Sequence, residues 1–438
     1  MNYQQTIQYL YNATPVFEHV GAKAYKEGLE NTIALDEHFN HPHRQYRTIH
    51  IAGTNGKGSC SHSIAAILQE EGYKVGLYTS PHLVDFKERI RVNGQCIDEG
   101  YVVDFVRRER HFFEPLHPSF FELTTAMALK YFADQQVDIA VIEVGLGGRL
   151  DCTNIIQPEL CVITNISFDH MQFLGHTLPA IAQEKAGIIK AHTPVVIGEA
   201  NELTRPVFVQ KATELGASIH FAEDKENREV TTAHRQTEGG IDYDSAHFGH
   251  IHGELAGEYQ VANTNTILCA AHLLRQKGII RNDDSVRAAL DKVCELTGLE
   301  GRWQTIQRAP LVICDTGHNV AGWQYLSHQI GSVACRTRRM VFGMVDDKDI
   351  DHVMQLLPKD ATYYFTQASS KRAFPVQTVY EKARLHGLKG SVCQDVYSAY
   401  KQALADSSEA DFIFVGGSSY IVADFLTALR QENLSAKA

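Results

Sequence analysis

Along most of this chain, short apolar runs alternate with longer segments whose apolar residues recur at helical spacing. That pattern predicts parallel sheets covered by helices. Residues 46–52 read as a buried strand that runs into Gly53-Thr54-Asn55-Gly56-Lys57-Gly58-Ser59. Beyond it, Ile64, Ala65, Ile67 and Leu68 predict a helix from Lys57 to about Glu71, which Gly72 can end. Residues 74–78, 137–144 and 160–166 read as further strands, 178–190 as a helix and 195–198 as a strand. From about 222 to 254 the texture turns polar, and Glu238-Gly239-Gly240-Ile241 predicts a hairpin turn in a small antiparallel excursion. Helical spacing returns over 258–277 and 284–296, and residues 297–301 break it as a candidate linker. Strand-like runs at 311–314, 340–344, 362–366 and 412–415 then predict a second, smaller α/β unit.

Composition narrows the classes. The 438 residues are 44% hydrophobic and 21% charged, an ordinary globular mix that excludes a disordered tail, a collagen-like fibre or a coiled coil. No apolar stretch approaches the roughly 20 residues needed to cross a bilayer. The first residues lack a basic start followed by an apolar core, so a cytoplasmic location is expected. Against 41 basic residues stand 52 acidic ones, which argues against nucleic acid as a partner. The nine cysteines show no C-x-x-C spacing, so neither a zinc site nor a disulfide framework is indicated.

The chemistry concentrates at predicted strand ends, where open α/β sheets bind ligands. In residues 53–59, Gly53, Gly56 and Gly58 allow a tight turn that aims backbone N–H groups and a helix N-terminus at phosphate oxygens. Lys57 adds a point charge there, with Thr54, Asn55 and Ser59 completing the loop. The other reading is a glycine-rich turn with an exposed lysine. Glu143 ends an apolar strand, so its carboxylate requires a cation: a metal ion, or simply Arg149. His170 follows the next strand; alone it reads as structural, but beside a phosphate loop and Glu143 it is a candidate metal ligand. Lys185 reads as a solvated helix lysine, and His318, after the first strand of the second unit, lies at another ligand edge. Together these features describe two domains: a P-loop ATPase-like, mostly parallel sheet in 1–297 and a smaller Rossmann-like α/β domain in 298–438.

These segments together resemble the Mur ligase superfamily, and within it the folylpolyglutamate synthase/dihydrofolate synthase family. The resemblance rests on the 53–59 loop, on Thr79-Ser80-Pro81-His82-Leu83 with Glu88-Arg89-Ile90-Arg91, and on the run from Glu143 through Gly145-Leu146-Gly147-Gly148-Arg149-Leu150 to Asp151. It continues through Asp169-His170, Leu174-Gly175-His176-Thr177 and Glu184-Lys185-Ala186-Gly187. It implies that Lys57 contacts the phosphates of ATP, that Ser80 and Glu143 hold one Mg²⁺, and that Glu143 and His170 hold a second. Lys185 would be carbamylated and help orient the second ion. Asn263, Arg302 and Asp315 match nucleotide contacts and His318 a phosphate-proximal histidine, while His82, Arg89 and Asp151 fall on the substrate side. Asp151 is the candidate pterin contact; its bland alternative is a turn or helix cap. The second-domain motif departs from the family's Asp-Gly-Ala-His-Asn-Pro, reading Asp315-Thr316-Gly317-His318-Asn319-Val320.

The implied reaction is ATP-dependent ligation of L-glutamate to a dihydropteroate or reduced-folate carboxylate through an acyl phosphate. A monomer acting on small molecules, without nucleic acid or membrane, is the matching expectation. Two other readings stay open at this point: a different Mur-type amino-acid ligase, and a nucleotide-binding regulator without ligation.

Overall fold

The first unit's large sheet contains eight strands: β1 (Arg47–Ala52), β2 (Val75–Tyr78), β3 (Ile90–Val92), β4 (Gln95–Cys96), β5 (Ile139–Glu143), β6 (Leu160–Ile163), β7 (Val195–Ile197) and β8 (Ile219–Phe221). The computed structural model describes residues 1–13, 28–235, 239–346 and 348–435. The order is β4-β3-β2-β5-β1-β6-β7-β8. All neighbours are parallel except at one edge, where β3 and β4 run antiparallel. Helices cover both faces, so the central strands are mostly apolar and buried, Ile49, Ile51, Ala52 and Ile139–Ile142 among them, with Thr48, His50 and Glu143 as buried polar exceptions.

Register sets up the site. Ile51 of β1 pairs with Glu143 of β5 and with Val162 of β6, so the loops leaving these three strands emerge side by side. Helix Lys57–Glu70 begins at the end of β1's loop and is buried from Ser59 to Leu68. It packs on β1, β2 and β5 and also under helices Gln260–Gln276, Asp283–Leu290 and Val293–Thr297. Caps start the neighbouring helices where the sequence offers them: Asp98 for Glu99–Phe113, a Ser119/Glu122 capping box for Phe120–Asp134, and Thr177 for Leu178–Ala186.

The polar stretch forms a three-stranded antiparallel sheet of β9 (Val230–Arg235), β10 (Ile241–Ser245) and β11 (Gly249–Gly253), ordered β11-β10-β9. Of the expected hairpin turn, Glu238 lies outside the described residues. The second unit carries a six-stranded sheet of β12 (Gln304–Arg308), β13 (Leu311–Asp315), β14 (Arg338–Phe342), β15 (Ala361–Phe365), β16 (Lys389–Val392) and β17 (Phe412–Gly416). Its order is β12-β13-β17-β14-β15-β16, parallel except for β12.

The units divide as Met1–Glu254 with Gln260–Leu299, and Leu255–Tyr259 with Glu300–Ala438. The expected single cut at 297/298 is therefore replaced by a cut at 299/300 plus a five-residue excursion. The reason is local bonding. Gln329 donates to the Ala256 carbonyl (2.9 Å) and accepts from the Glu258 N–H (2.7 Å), and Tyr259 donates to Asp315 (2.6 Å). No helix among the described residues is long and apolar enough to cross a membrane.

The second unit's core centres on Trp323, fully buried and edge-on to Phe342 (5.6 Å) and Phe414 (5.8 Å). Both tryptophans of the chain, Trp303 and Trp323, belong to this unit, so tryptophan fluorescence reports its unfolding alone. Trp323→Ala is expected to destabilise that unit by about 3–5 kcal/mol. The check is a lowered urea midpoint in Trp303 fluorescence.

Candidate functional site

The loop after β1 is bent by two glycines whose positive φ and close surroundings disfavour any side chain. At Gly53 (φ 146°) an added Cβ would stand 1.8 Å from Thr164 Oγ1, and at Gly56 (φ 82°) 2.2 Å from Asn263 Oδ1. The loop is braced from the segment after β6. The Thr54 and Asn55 N–H groups donate to the Asn165 carbonyl (3.0 Å) and Asn165 Oδ1 (2.9 Å), while Thr164 donates to the Asn55 carbonyl (2.5 Å). Behind it, Gln260 donates to Ser59 Oγ (3.1 Å) and accepts from Asn263 (2.8 Å), which holds Asn263 against Gly56. Gly58 lies in the first turn of helix Lys57–Glu70. The free N–H groups of that turn and the cradle kept open by the glycines fit a phosphate group.

Lys57 Nζ donates to the carbonyls of Gly53 (3.1 Å) and Thr54 (3.1 Å). Lys185 Nζ donates to the same Gly53 carbonyl at 2.9 Å. The solvated-helix reading of Lys185 is overturned: its side chain is only 4% exposed. Burial, then the charge of Lys57, pushes its amine down to about 7, with Asp169 and Asp151 acting in the opposite direction.

Glu143, buried at the end of β5, accepts from the Ser80 N–H at 3.4 Å. Arg149 is not its partner; that guanidinium pairs with Glu184 (3.0 Å). The Ser80 hydroxyl and Glu143 carboxylate are hard oxygen donors that suit a divalent cation. His170 adopts the left-handed conformation (φ 49°) at the start of helix Met171–Leu174, beside Asp169.

Of the residues expected on the substrate side, Arg89 Nε donates to His82 Nδ1 (2.7 Å), and Tyr11 bonds the other ring nitrogen (3.1 Å). Arg89 also lies over the Phe120 ring, on which Tyr11 stacks at 5.1 Å. Asp151, the expected pterin contact, has the geometry of a cap. It is buried, caps the 3₁₀ turn Cys152–Ile155, and spends its oxygens on Leu146 N–H (2.9 Å), Thr153 N–H (3.0 Å) and Thr153 Oγ1.

The second unit carries its own group at the end of β13. Asp315 is buried and accepts from Tyr259 (2.6 Å), the Trp303 N–H (2.7 Å) and the Gly317 N–H (2.8 Å). Burial raises its carboxyl above the ordinary value, against these hydrogen bonds. Arg302 donates to Thr316 Oγ1, and His318 Nδ1 lies 3.0 Å from the Thr316 carbonyl. The departures from the family motif are absorbed locally: Thr316 N–H donates to the Gly301 carbonyl (3.0 Å), and Asn319 caps the helix that begins at Val320.

Comparison with known proteins places this arrangement. Residues 51–271 match the Mur ligase middle domain and residues 301–419 the Mur ligase glutamate ligase domain. The dihydrofolate synthase/folylpolyglutamate synthase of Bacillus subtilis (strain 168) is 32% identical over 418 residues, 92% of this chain and 95% of that one. This chain belongs to the folylpolyglutamate synthase/dihydrofolate synthase family of Mur ligases. Among solved structures, E. coli FolC in complex with DHPP and ADP superposes on this Mur ligase with a TM-score of 0.84 at 28% identity, covering 99% of both chains. The Yersinia pestis bifunctional folylpolyglutamate synthase/dihydrofolate synthase (solved with AMPPNP and Mn ion, and also with Mn, AMPPNP and L-glutamate) gives 0.79 at 28%, covering 98% of each chain.

Several residues of this Mur ligase's site carry no sequence signal of their own. Tyr11 and Phe120 are ordinary apolar-face residues in amphipathic helices, and Thr164 and Asn165 sit in a segment that reads as the tail of a strand. Gly56→Ala puts a Cβ into Asn263 and strains the left-handed turn. It is expected to weaken nucleotide binding about tenfold or more, since the strain alone is worth about 1–2 kcal/mol. Calorimetric titration with ADP measures this, with circular dichroism confirming the fold.

Proposed function

We propose that this Mur ligase uses ATP to join L-glutamate to the carboxylate of both dihydropteroate and reduced folate. The observation that carries the reading is the meeting, at the ends of β1, β5 and β6, of the Gly53 loop, Lys57, Glu143 and a buried Lys185.

In this reading the substrate carboxylate takes the γ-phosphoryl group of ATP, with ADP leaving. The amine of L-glutamate then displaces phosphate from the acyl carbon. Gly53 to Ser59 hold the phosphates through backbone N–H groups. Lys57, with two of its protons on carbonyls, has a third to offer a phosphate oxygen. Mg²⁺ held by Ser80 and Glu143, and a second ion by Glu143 and His170, would supply neutralisation of charge on the transferred group. Asn263, Arg302 and Asp315 belong to nucleotide binding and His318 to the phosphate end. His82 and Arg89, with the Tyr11 and Phe120 rings beside them, serve the pterin side. Asp151 is the candidate pterin contact, and it also fixes the loop at Leu146. The enzyme is read as a cytoplasmic monomer acting on small molecules alone.

Lys185 is proposed to carry a carbamate. Its neutral nitrogen lone pair attacks the carbon of CO₂, a C–N bond forms as one C=O π pair moves to oxygen, and the nitrogen releases a proton. The product would carry a negative charge beside Lys57 and help orient the second ion. Below about pH 7 the amine is protonated and cannot add CO₂; above it the amine is neutral and can.

Phosphate release with ATP, Mg²⁺ and L-glutamate tests the function, comparing dihydropteroate with tetrahydrofolate. Turnover with both is expected. Turnover with tetrahydrofolate alone reduces the enzyme to a polyglutamate synthase, and silence with both overturns the reading. For the carbamate, ¹³C-bicarbonate NMR is expected to show a carbamate resonance that grows from about pH 6 to about pH 8 and is missing in Lys185→Ala.

A further inference from the structure

A second concentration of metal-ligating side chains lies in the antiparallel excursion and the helix beneath it. Six histidines fall between residues 220 and 272: His220, His234, His247, His250, His252 and His272. Two of them, His250 and His252, pair with Asp244 and Asp242 in surface contacts. His247 and His272 are placed differently, because they converge on a buried carboxylate.

That carboxylate is Glu229, 2% exposed, immediately before β9. Its Oε2 accepts from Ser245 Oγ (2.9 Å) and the His247 N–H (3.2 Å), and its Oε1 lies 2.7 Å from His247 Nδ1. No lysine or arginine among the described residues forms an ion pair with it. The charge of this buried carboxylate is balanced only by groups that reach it here, the His247 ring or an ion held between the two histidines. His272, from helix Gln260–Gln276, faces the same oxygen with Nδ1 at 3.8 Å, beyond hydrogen-bond range. That nitrogen is buried and without a hydrogen-bond partner. The other ring nitrogen contacts the side-chain amide of Gln276 at 2.8 Å. With that amide turned over, Nε2–H donates to its oxygen and the Nδ1 lone pair points at Glu229, as in metal-ligating histidines. The rings of His247 and His272 lie 4.1 Å apart.

We propose that Glu229, His247 and His272 form a binding site for a divalent transition ion of the zinc class. One ligand atom from each lies within 4.8 Å of the others. Ligand atoms around tetrahedral zinc stand about 3.3 Å apart, given bond lengths of about 2.0–2.1 Å. Around Glu229 Oε1 the two ring nitrogens already bracket that spacing, His247 Nδ1 at 2.7 Å and His272 Nδ1 at 3.8 Å. Two imidazoles with one carboxylate select zinc, cobalt or nickel over magnesium, and leave one position for water. The ion would tie the start of β9 and the β10–β11 turn to helix Gln260–Gln276. His272 is nine residues, about 14 Å, along that helix from Asn263. The inference stands independently of the ligase reading.

Untagged full-length protein, stripped with a chelator and returned to excess Mg²⁺, is titrated with Zn²⁺ by calorimetry and with Co²⁺ by visible absorption. One equivalent is expected to bind, with a cobalt spectrum of tetrahedral intensity. His247→Gln and Glu229→Gln are each expected to weaken binding about tenfold or more, whereas His170→Ala retains the zinc. His247 is the variant least able to disturb folding, and Glu229→Gln keeps the buried side chain's shape. Absence of binding in the parent protein overturns the proposal. So does parent-like affinity in both variants, or loss of the zinc in His170→Ala.

Discussion

The Gly53 carbonyl oxygen accepts hydrogen bonds from two lysines, and the loop after β1 is organised around that crowding. Two ammonium groups on one oxygen repel each other, and water cannot screen the inner one because Lys185 is buried. The cost is relieved by lowering the affinity of Lys185 for its proton, which turns a poor structural lysine into a nucleophilic amine. The arrangement needs Gly53 in a backbone conformation that carries no side chain, and a sheet register that brings the ends of β1, β5 and β6 level. Displacing any of these parts would separate the amines and remove the smaller of the two causes of the shifted proton affinity, leaving the burial of Lys185 as the larger one.

What was legible in the sequence follows from where hydrophobic pattern is strongest. The central strands and helix Lys57–Glu70 stand out because both faces are buried, and their ends fall within a few residues of the pattern's limits. Edge strands are poorly marked. β16 reads Lys-Gly-Ser-Val and is exposed throughout, and β12 is Gln-Thr-Ile-Gln-Arg; neither alternates in a way that separates it from a loop. The strand expected over 160–166 stops at Ile163 because the residues after it turn to brace the Gly53 loop.

Within the site, motif residues were readable but burial was not. Lys185 lies in a short helix among Gln183, Glu184 and Gly187, and only the close approach of that helix to Gly148 reveals why it faces inward: a Cβ at Gly148 would meet the Glu184 carbonyl at 2.8 Å. Asp151 shows the converse. Its position two residues before Thr153 allowed both a ligand contact and a cap, and the cap is the contact that local hydrogen bonding forms. Glu229, His247 and His272 are separated by up to 43 positions and have no recognisable spacing, so only the fold brings them to one point.

The five residues Leu255–Tyr259 give the chain's architecture an evolutionary consequence. The second unit is not encoded by one continuous stretch, since Tyr259 supplies a donor to Asp315, and Ala256 and Tyr259 pack on the core around Trp323. Recombination that joined residues 300 onward to a different amino-terminal half would strip that core of a covering patch and Asp315 of its tyrosine. Inheritance of the two halves is thereby coupled: a gene fusion can exchange the carboxy-terminal half only if the donor sequence around 255–259 travels with it or has already been matched to it.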